Sequence, residues 1–480
     1  MNGVLELLLF MIPAAGILLT LLPWTKAREI AAFLATLFVA LVLIVFKSGA
    51  WITAKGVWLE INQFDRLSLV VLMIVTIVGL TSVVYASGYL NLSADKYQLT
   101  NRKHMRFFLL IMLFYFFLLW TPIVHNVILL WVCIEGTSLA SVFLVDYENT
   151  TGTFEATWKY LIMMEIGGGL ALAGTVIILM GRPAGLGSSL SWQALMAAGH
   201  SIPPLNLKLG FALIVAGYGI KAGLVPLHSW LPDAHSMAPS PVSAMLSGIK
   251  INIALYGILR FYDILSANGQ ISFAAFLLRW TGILTVLVAI AMTGVQKDFK
   301  RLFAYSSIEN MGLIAFGYTL GTFGVYGALL QMLNHALIKP GLFFLSGNLL
   351  IQYQSTEIRK ARGILFQMKW SGLLLVLLML AIAGAPPFGL FLSEFIIILS
   401  ALHEGLIWMA VVLVILLAIL FANFLRYALK MVFGRPNTPI VGKARFTWRT
   451  VFPPLLHLIG SLVMGTAIPM VLQQLLYMGK

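Results

Sequence analysis

Fourteen apolar runs, each at least about as long as a bilayer-crossing helix of some twenty residues, follow one another along nearly the whole chain. They fall at 3–23, 28–46, 65–87, 104–121, 123–145, 156–181, 206–230, 240–262, 272–294, 301–321, 325–350, 369–402, 404–432 and 452–476. In lipid a segment must satisfy its own backbone N–H and C=O groups, so the expected fold is an all-α polytopic membrane protein. With 60% apolar and only 10% charged residues there is no room for a separate soluble domain, and 1–480 reads as one membrane domain. Within it we expect N-terminal helices over 1–103, a first unit at 104–262, a second at 272–432, and a loop and last helix at 433–480. The N-terminal run lacks a basic leader and a small-residue cleavage site, so it is expected to be a retained span.

A net charge of +14 would suggest nucleic acid in a soluble protein. Here the basic residues cluster between apolar runs, which is the mark of membrane topology, and nucleic-acid binding is not expected. Placing the N-terminus outside puts twenty of the 31 lysines and arginines on the inner side and eight on the outer. Both termini are therefore expected outside. The remaining three, Lys221, Lys250 and Lys339, fall within spans. A charge at the bilayer centre costs about 3 kcal/mol on insertion scales and on the order of 10 kcal/mol in simulation, so these positions point to ion or proton pathways. Four carboxylates, Glu135, Glu165, Glu309 and Glu394, also fall inside apolar runs.

Proline punctuates two of the spans. Gly384-Ala385-Pro386-Pro387 interrupts the long twelfth run, and Pro226 and Pro232 follow Lys221 in the seventh, so both helices are expected to break there. The runs also pair up: 4–8 hold a glutamate in their second helix (Glu135) and a charge beside the break in their fourth (Lys221), and 9–13 repeat this with Glu309 and Glu394. Five helices is an odd number, so the units would be inverted repeats. Around Leu190–Leu195 a short interfacial helix is expected.

Each buried charge has a functional and a plain reading. Lys221 beside a glutamate such as Glu135 makes a switchable pair or a static clasp. His228 lies seven residues after Lys221, on nearly the same face if the helix continues. Ser243, Ser247 and Lys250 form a polar stripe that holds water or merely packs. Gln331, His335 and Lys339 share a face, with Pro340 expected to interrupt the helix after them, and histidine is the side chain suited to proton exchange near neutral pH. Glu309 can relay protons or pair with Arg301. Glu165, beside three glycines, has no partner in sequence. His228, Asp233 and His235 can bond freed backbone as readily as pass protons. His228 and His235 are poorly spaced for zinc, no phosphate-cradling motif is present, and the one cysteine, Cys133, cannot hold an iron–sulfur cluster. No metal site is expected in this chain.

The segment GIKAGLVPLHSWLPDAHSMAPSPVSAMLSGIK (219–250) resembles the hallmark of the antiporter-like membrane subunits shared by respiratory complex I, Mrp-type antiporters and group 4 hydrogenases. AYSSIENMG (304–312), LNHALIKPGLFFLSG (333–347) and GAPPFGLFLSEF (384–395) extend the likeness, and Glu309-Asn310 resembles hydrogenase-4 or formate hydrogenlyase subunits in particular. The resemblance implies fourteen helices in two inverted repeats, with broken helices seven and twelve. It implies a controlling pair Glu135–Lys221, a central link Lys250–His335 and an exit-side Glu394, with Lys339, His228, Glu309 and Glu165 as possible relay members. It further implies a proton-translocating subunit of a redox-driven complex in a prokaryotic cell membrane, working with other membrane subunits and a peripheral cytoplasmic redox module. Nickel–iron, iron–sulfur or flavin cofactors would then belong to those partners. The alternatives are a sodium-exchanging Mrp-type or complex I subunit, and a non-transporting scaffold.

Overall fold

Polar side chains in the connections start the helices that the apolar runs continue. A computed structural model of the protein describes residues 2–48, 65–183, 189–436 and 446–477. Lys55, Lys443, Arg445 and Lys480 of the charge distribution lie outside the described residues. The chain forms α1 (Asn2–Leu19), α2 (Thr25–Ser48), α3 (Arg66–Leu92), α4 (Asn101–Trp120), α5 (Val127–Val145) and α6 (Thr151–Met180). It continues with α7 (Pro204–Ala222), α8 (Trp230–Met237), α9 (Ser240–Ala267), α10 (Ile271–Thr293), α11 (Phe299–Gly317) and α12 (Gly321–Tyr353). The last helices are α13 (Lys369–Ile382), α14 (Gly389–His403), α15 (Ile407–Val432), α16 (Trp448–Thr466) and α17 (Met470–Tyr477). Asp65, Thr100, Asn126, Thr150 and Asp298 each accept a backbone N–H at the first turn of the helix that follows. The expected interfacial element is present as Trp192–Ala197.

Every expected apolar run contains a helix, and among the described residues nine helices are long and apolar enough to cross a membrane. Helix α11 is not one of them, because Lys300, Arg301 and Glu309 crowd one stretch. The apolar windows of α9 and α12 are wholly buried, whereas a third of that of α15 and 39% of that of α6 are. Two helices therefore form the axis of the bundle. Each of the two carries a lysine within its span, Lys250 and Lys339.

Both expected breaks occur, and they are built alike. Helix α7 ends at Ala222, with Gly223 in the left-handed conformation (φ 78°) and Leu224 N–H returned to the Gly219 carbonyl. Helix α13 ends with Gly384 at φ 73° and Ala385 N–H returned to Leu380. This is the same glycine-capped helix end in both places. The peptide bonds preceding Pro226 and Pro387 are cis.

Three sequence expectations need correction. Pro232 does not break a helix: it is the third residue of α8, where a backbone N–H has no intrahelical partner to lose. The seventh span thus resumes as a helix after Ser229 instead of staying unwound, and His228 in the break does not share a helical face with Lys221. Nor does Pro340 interrupt α12, which runs unbroken through it. Its ring is braced against α9, since a Cβ at Gly248 would fall 2.7 Å from Pro340 Cγ. Gly248 sits inside a π-helical turn, Leu246–Lys250, that sequence pattern did not signal.

Close backbone contact fixes α6 against α7. A Cβ on Gly217 would lie 2.5 Å from the Gly167 carbonyl oxygen, and one on Gly167 would lie 2.7 Å from that of Gly217. Such small-residue contacts let membrane helices approach without a hydrophobic driving force. We expect Gly217→Val to destabilise the protein by about 1–3 kcal/mol, the usual cost of overpacking. A lowered melting temperature of the detergent-solubilised protein checks this, with Gly169→Ala, which meets nothing within 4 Å, as the neutral control.

Candidate functional site

Lys221 stands in the last turn of α7, immediately before the break, and is fully buried. Its Nζ lies 2.9 Å from Glu135 Oε2 and donates to Ser138 Oγ at 3.1 Å. Glu135 and Ser138 are one turn apart on α5, and Ser141 continues that stripe. The carboxylate tucks over Gly168 of α6, where any Cβ would lie 2.3 Å from Oε2. Pair and backbone are thus fitted to each other.

Lys250 closes the π-turn of α9 and reaches across to α5 and α6. It donates to the Tyr160 hydroxyl, lies 3.5 Å from Ser141 Oγ and 3.4 Å from Met164 Sδ, and sits 4.2 Å from the Tyr160 ring centre. Ser141 and Tyr160 are themselves bonded at 2.5 Å. Lys221 and Lys250 therefore address the same polar stripe of α5, one turn apart. Among the described residues no carboxylate lies within 4 Å of Lys250. Ser243, by contrast, is spent on the carbonyls of His235 and Ala238, so the packing reading holds for it. Ser247 crosses to Ser307 of α11 at 2.8 Å.

Beyond that crossing lies a second network. Lys339 of α12 donates to Phe303 O at 2.6 Å and to the Ser306 hydroxyl. Glu309, fully buried one turn along α11, accepts from Asn310 Nδ2 at 2.6 Å. Asn310 Oδ1 accepts from Gln331 Nε2 at 2.8 Å, and Gln331 Oε1 accepts from Ser393. Ser393 adjoins Glu394, which folds back onto the second break: a Cβ at Gly384 would lie 2.2 Å from Glu394 Oε2. Helix breaks of this kind are tolerated at membrane depth only where protein encloses them.

The remaining expected residues fall as follows. Glu309 does not pair with Arg301, which instead meets Asp233, itself 3.4 Å from Lys159. His335 is fully buried on α12, its Nδ1 3.5 Å from Asn252 Nδ2 and its Nε2 without a hydrogen-bond partner among the described residues. Its contact with Lys250 is therefore indirect. His228 lies half-buried in the first break, against Tyr305 and away from the Lys221 line. His235 spends Nδ1 on the Leu231 carbonyl. Glu165 faces outward from α6. No group of three or more metal-ligating side chains occurs among the described residues.

The family described as NADH:quinone oxidoreductase/Mrp antiporter, transmembrane, matches residues 124–420, which holds every side chain of both networks. The chain belongs to that family. The complex I chain 5 N-terminal family also matches residues 51–99. A hydrogenase-4 component F homolog of Methylacidiphilum infernorum is 35% identical over 377 residues, covering 78% of this chain and 79% of that protein. NADH-quinone oxidoreductase subunit N of Desulforudis audaxviator is 31% identical over 431 residues, 87% of this chain and 83% of that one. A chain of the archaeal membrane-bound sulfane sulfur reductase complex superposes with a TM-score of 0.86 at 26% identity, over 98% of this chain and 96% of its own. The protein is an antiporter-like, proton-translocating membrane subunit, and its relatives are parts of multi-subunit membrane complexes.

Sequence reasoning about this antiporter-like subunit missed Ser138, Ser141, Tyr160, Ser306 and Ser393, neutral groups that connect its charges, and noted Asn310 only as part of the Glu309-Asn310 likeness. A weak signal existed for the first two, which follow Glu135 at intervals of three. Tyr160 had none, since nothing links it to Lys250 but the fold. We expect Tyr160→Phe to leave assembly intact and to lower proton translocation by about tenfold or more, the scale of losing a positioned proton-transfer group. Dye-quenching in proteoliposomes at matched complex content checks it.

Proposed function

We propose that this subunit carries protons between its two helix breaks, along Glu135–Lys221, Lys250, His335 with Lys339, and Glu309–Glu394, within a redox-driven, hydrogenase-4-like complex. The observation that carries the reading is the Lys221–Glu135 pair: a buried lysine, 2.9 Å from its carboxylate, placed two residues before a helix break. While the pair is closed, Glu135 offsets the cost of a buried ammonium. Moving the carboxylate away leaves an unpaired cation in low dielectric, which sheds its proton towards hydroxyls such as those of Ser138, Ser141 and Tyr160. Lys250 and Lys339, held by neutral donors and acceptors alone, are suited to hold a proton transiently. The like-built breaks support two inverted five-helix units, 104–262 and 272–432.

In this reading the chain holds no redox centre. Electron transfer on a peripheral cytoplasmic module, with nickel–iron, iron–sulfur or flavin groups, displaces charge in neighbouring membrane subunits and so opens the first pair. The hydrogenase-4 naming of one relative supports that assignment. The excess of basic residues on one side supports a cell-membrane orientation with both termini outside.

Lys221→Met is expected to assemble with its partners and to abolish translocation in proteoliposomes. Full pumping by an assembled Lys221→Met complex would overturn the proposal, and failure to assemble would favour a clasp that only joins helices. Translocation is expected to be independent of sodium. Dependence on it would favour a cation/proton antiporter.

A further inference from the structure

A third polar system lies outside both networks, on the opposite face of α9. Asn252, Tyr256 and Arg260 recur at intervals of four and so line one face of the helix. All three are fully buried. At one end of this line Asn252 approaches His335 Nδ1 at 3.5 Å, and its Oδ1 has no hydrogen-bond partner among the described residues. His335 Nε2 is likewise unpartnered. At the other end the Tyr256 hydroxyl meets Ser68 Oγ of α3 at 3.2 Å. The Ser68 backbone N–H donates to Oδ1 of Asp65, the N-cap of α3, at 3.0 Å, and Arg260 Nη2 donates both to the Ser68 hydroxyl and to Asp65, whose side chain is 33% exposed. The bonds therefore run from the central axis towards the surface with two interruptions. The first, Asn252 to Tyr256, is one helical turn, about 6 Å, the reach of one bridging water, and the second is the step from the Ser68 hydroxyl to the Asp65 carboxylate.

We infer that Tyr256, Ser68 and Asp65 form a proton outlet from the His335 region to the membrane face that carries Asp65, which the charge distribution assigns to the outside. The inference rests on the proton-carrying reading above. A proton reaching the Tyr256 oxygen from the Asn252 side displaces the phenolic proton to Ser68, whose own hydroxyl proton passes to the Asp65 carboxylate once that hydroxyl turns towards it or a water joins the two. Asp65 then releases it to water, and the two hydroxyls rotate back. Only O–H bonds form and break.

Arg260 is a positioning residue in this outlet. A guanidinium stays protonated in proteins and cannot relay. It grips both Asp65 oxygens, donates to Ser68 Oγ at 2.7 Å, and stacks 4.2 Å from the Trp192 ring centre and 4.7 Å from that of Tyr256. It thereby holds the terminal acceptor ionised and aligned with the serine. A static clasp between α3 and α9 would need Arg260 and Asp65. It would not need the Tyr256 hydroxyl.

That difference supplies the test. In the intact complex, reconstituted in liposomes, Tyr256→Phe and Ser68→Ala are each expected to cut proton translocation about tenfold at unchanged assembly, and Ser68→Thr, which keeps the hydroxyl, to restore it. If both variants pump normally while Lys221→Met does not, the outlet is wrong and the central axis stands. If Lys221→Met also pumps, both readings fall. Should Tyr256→Phe and Ser68→Ala fail to assemble, Ser68→Cys over the native background of Cys133 decides the matter. Labelling by a membrane-impermeant methanethiosulfonate from the Asp65 side supports a hydrated outlet, and protection of that thiol overturns it.

Discussion

An ammonium group held inside a bilayer-embedded bundle must be supplied with charge or dipoles from the protein itself, and much of this architecture answers that requirement. Lys221 meets it with a carboxylate, at a point where α7 stops. Lys339 meets it with the Phe303 carbonyl, which also accepts from the hydroxyls of Ser306 and Ser307. Lys250 has only hydroxyls, a thioether and two aromatic faces. The helices that carry these last two lysines, α9 and α12, are the two candidate spans whose apolar windows are wholly buried among the described residues. A lipid-facing position would offer none of these partners.

The three lysines are thus not equivalent. Among the described residues one has a carboxylate within 4 Å, and two do not. Burial costs each ammonium its hydration, and among the described residues only Lys221 has a carboxylate at contact distance to offset that cost. The same physics applies to Glu309 and Glu394, which lie along one hydrogen-bonded line through Asn310, Gln331 and Ser393.

Much of this was legible in the sequence, because the membrane makes composition and length decisive. Apolar runs gave the helices, and charges within those runs gave Glu135, Lys221, Lys250, Lys339 and Glu394. What was not legible depended on neighbours remote in the chain. Tyr160 and Ser306 are unremarked until α6 and α11 bring them to lysines 90 and 33 residues away. Proline was misread twice for one reason: its effect depends on position in the helix and on bracing. Pro232 occupies a first turn, where no bond is lost. Pro340 lies mid-helix but is braced by Gly248. The π-turn has no periodic signature at all, although it lies where Lys250 must reach across to another helix.

That turn bears on how one helix serves two routes. A π-turn inserts an extra residue into the helical repeat, and such turns occur often at functional sites. Here it directs Lys250 towards Tyr160 and Ser141, while Asn252, two residues on and therefore on the far side of the helix, looks towards His335. From there Tyr256 and Arg260 continue the second face to Ser68 and Asp65. Helix α9 consequently separates the α5–α6 side of the bundle from the α3–α12 side, with polar groups on both. On the reading proposed above, the route between them passes the π-turn, around Lys250 or through the Ser247–Ser307 contact. At that turn the Ile251 N–H reaches back five residues to the Leu246 carbonyl, so the helical bonding changes register where Lys250 leaves the helix.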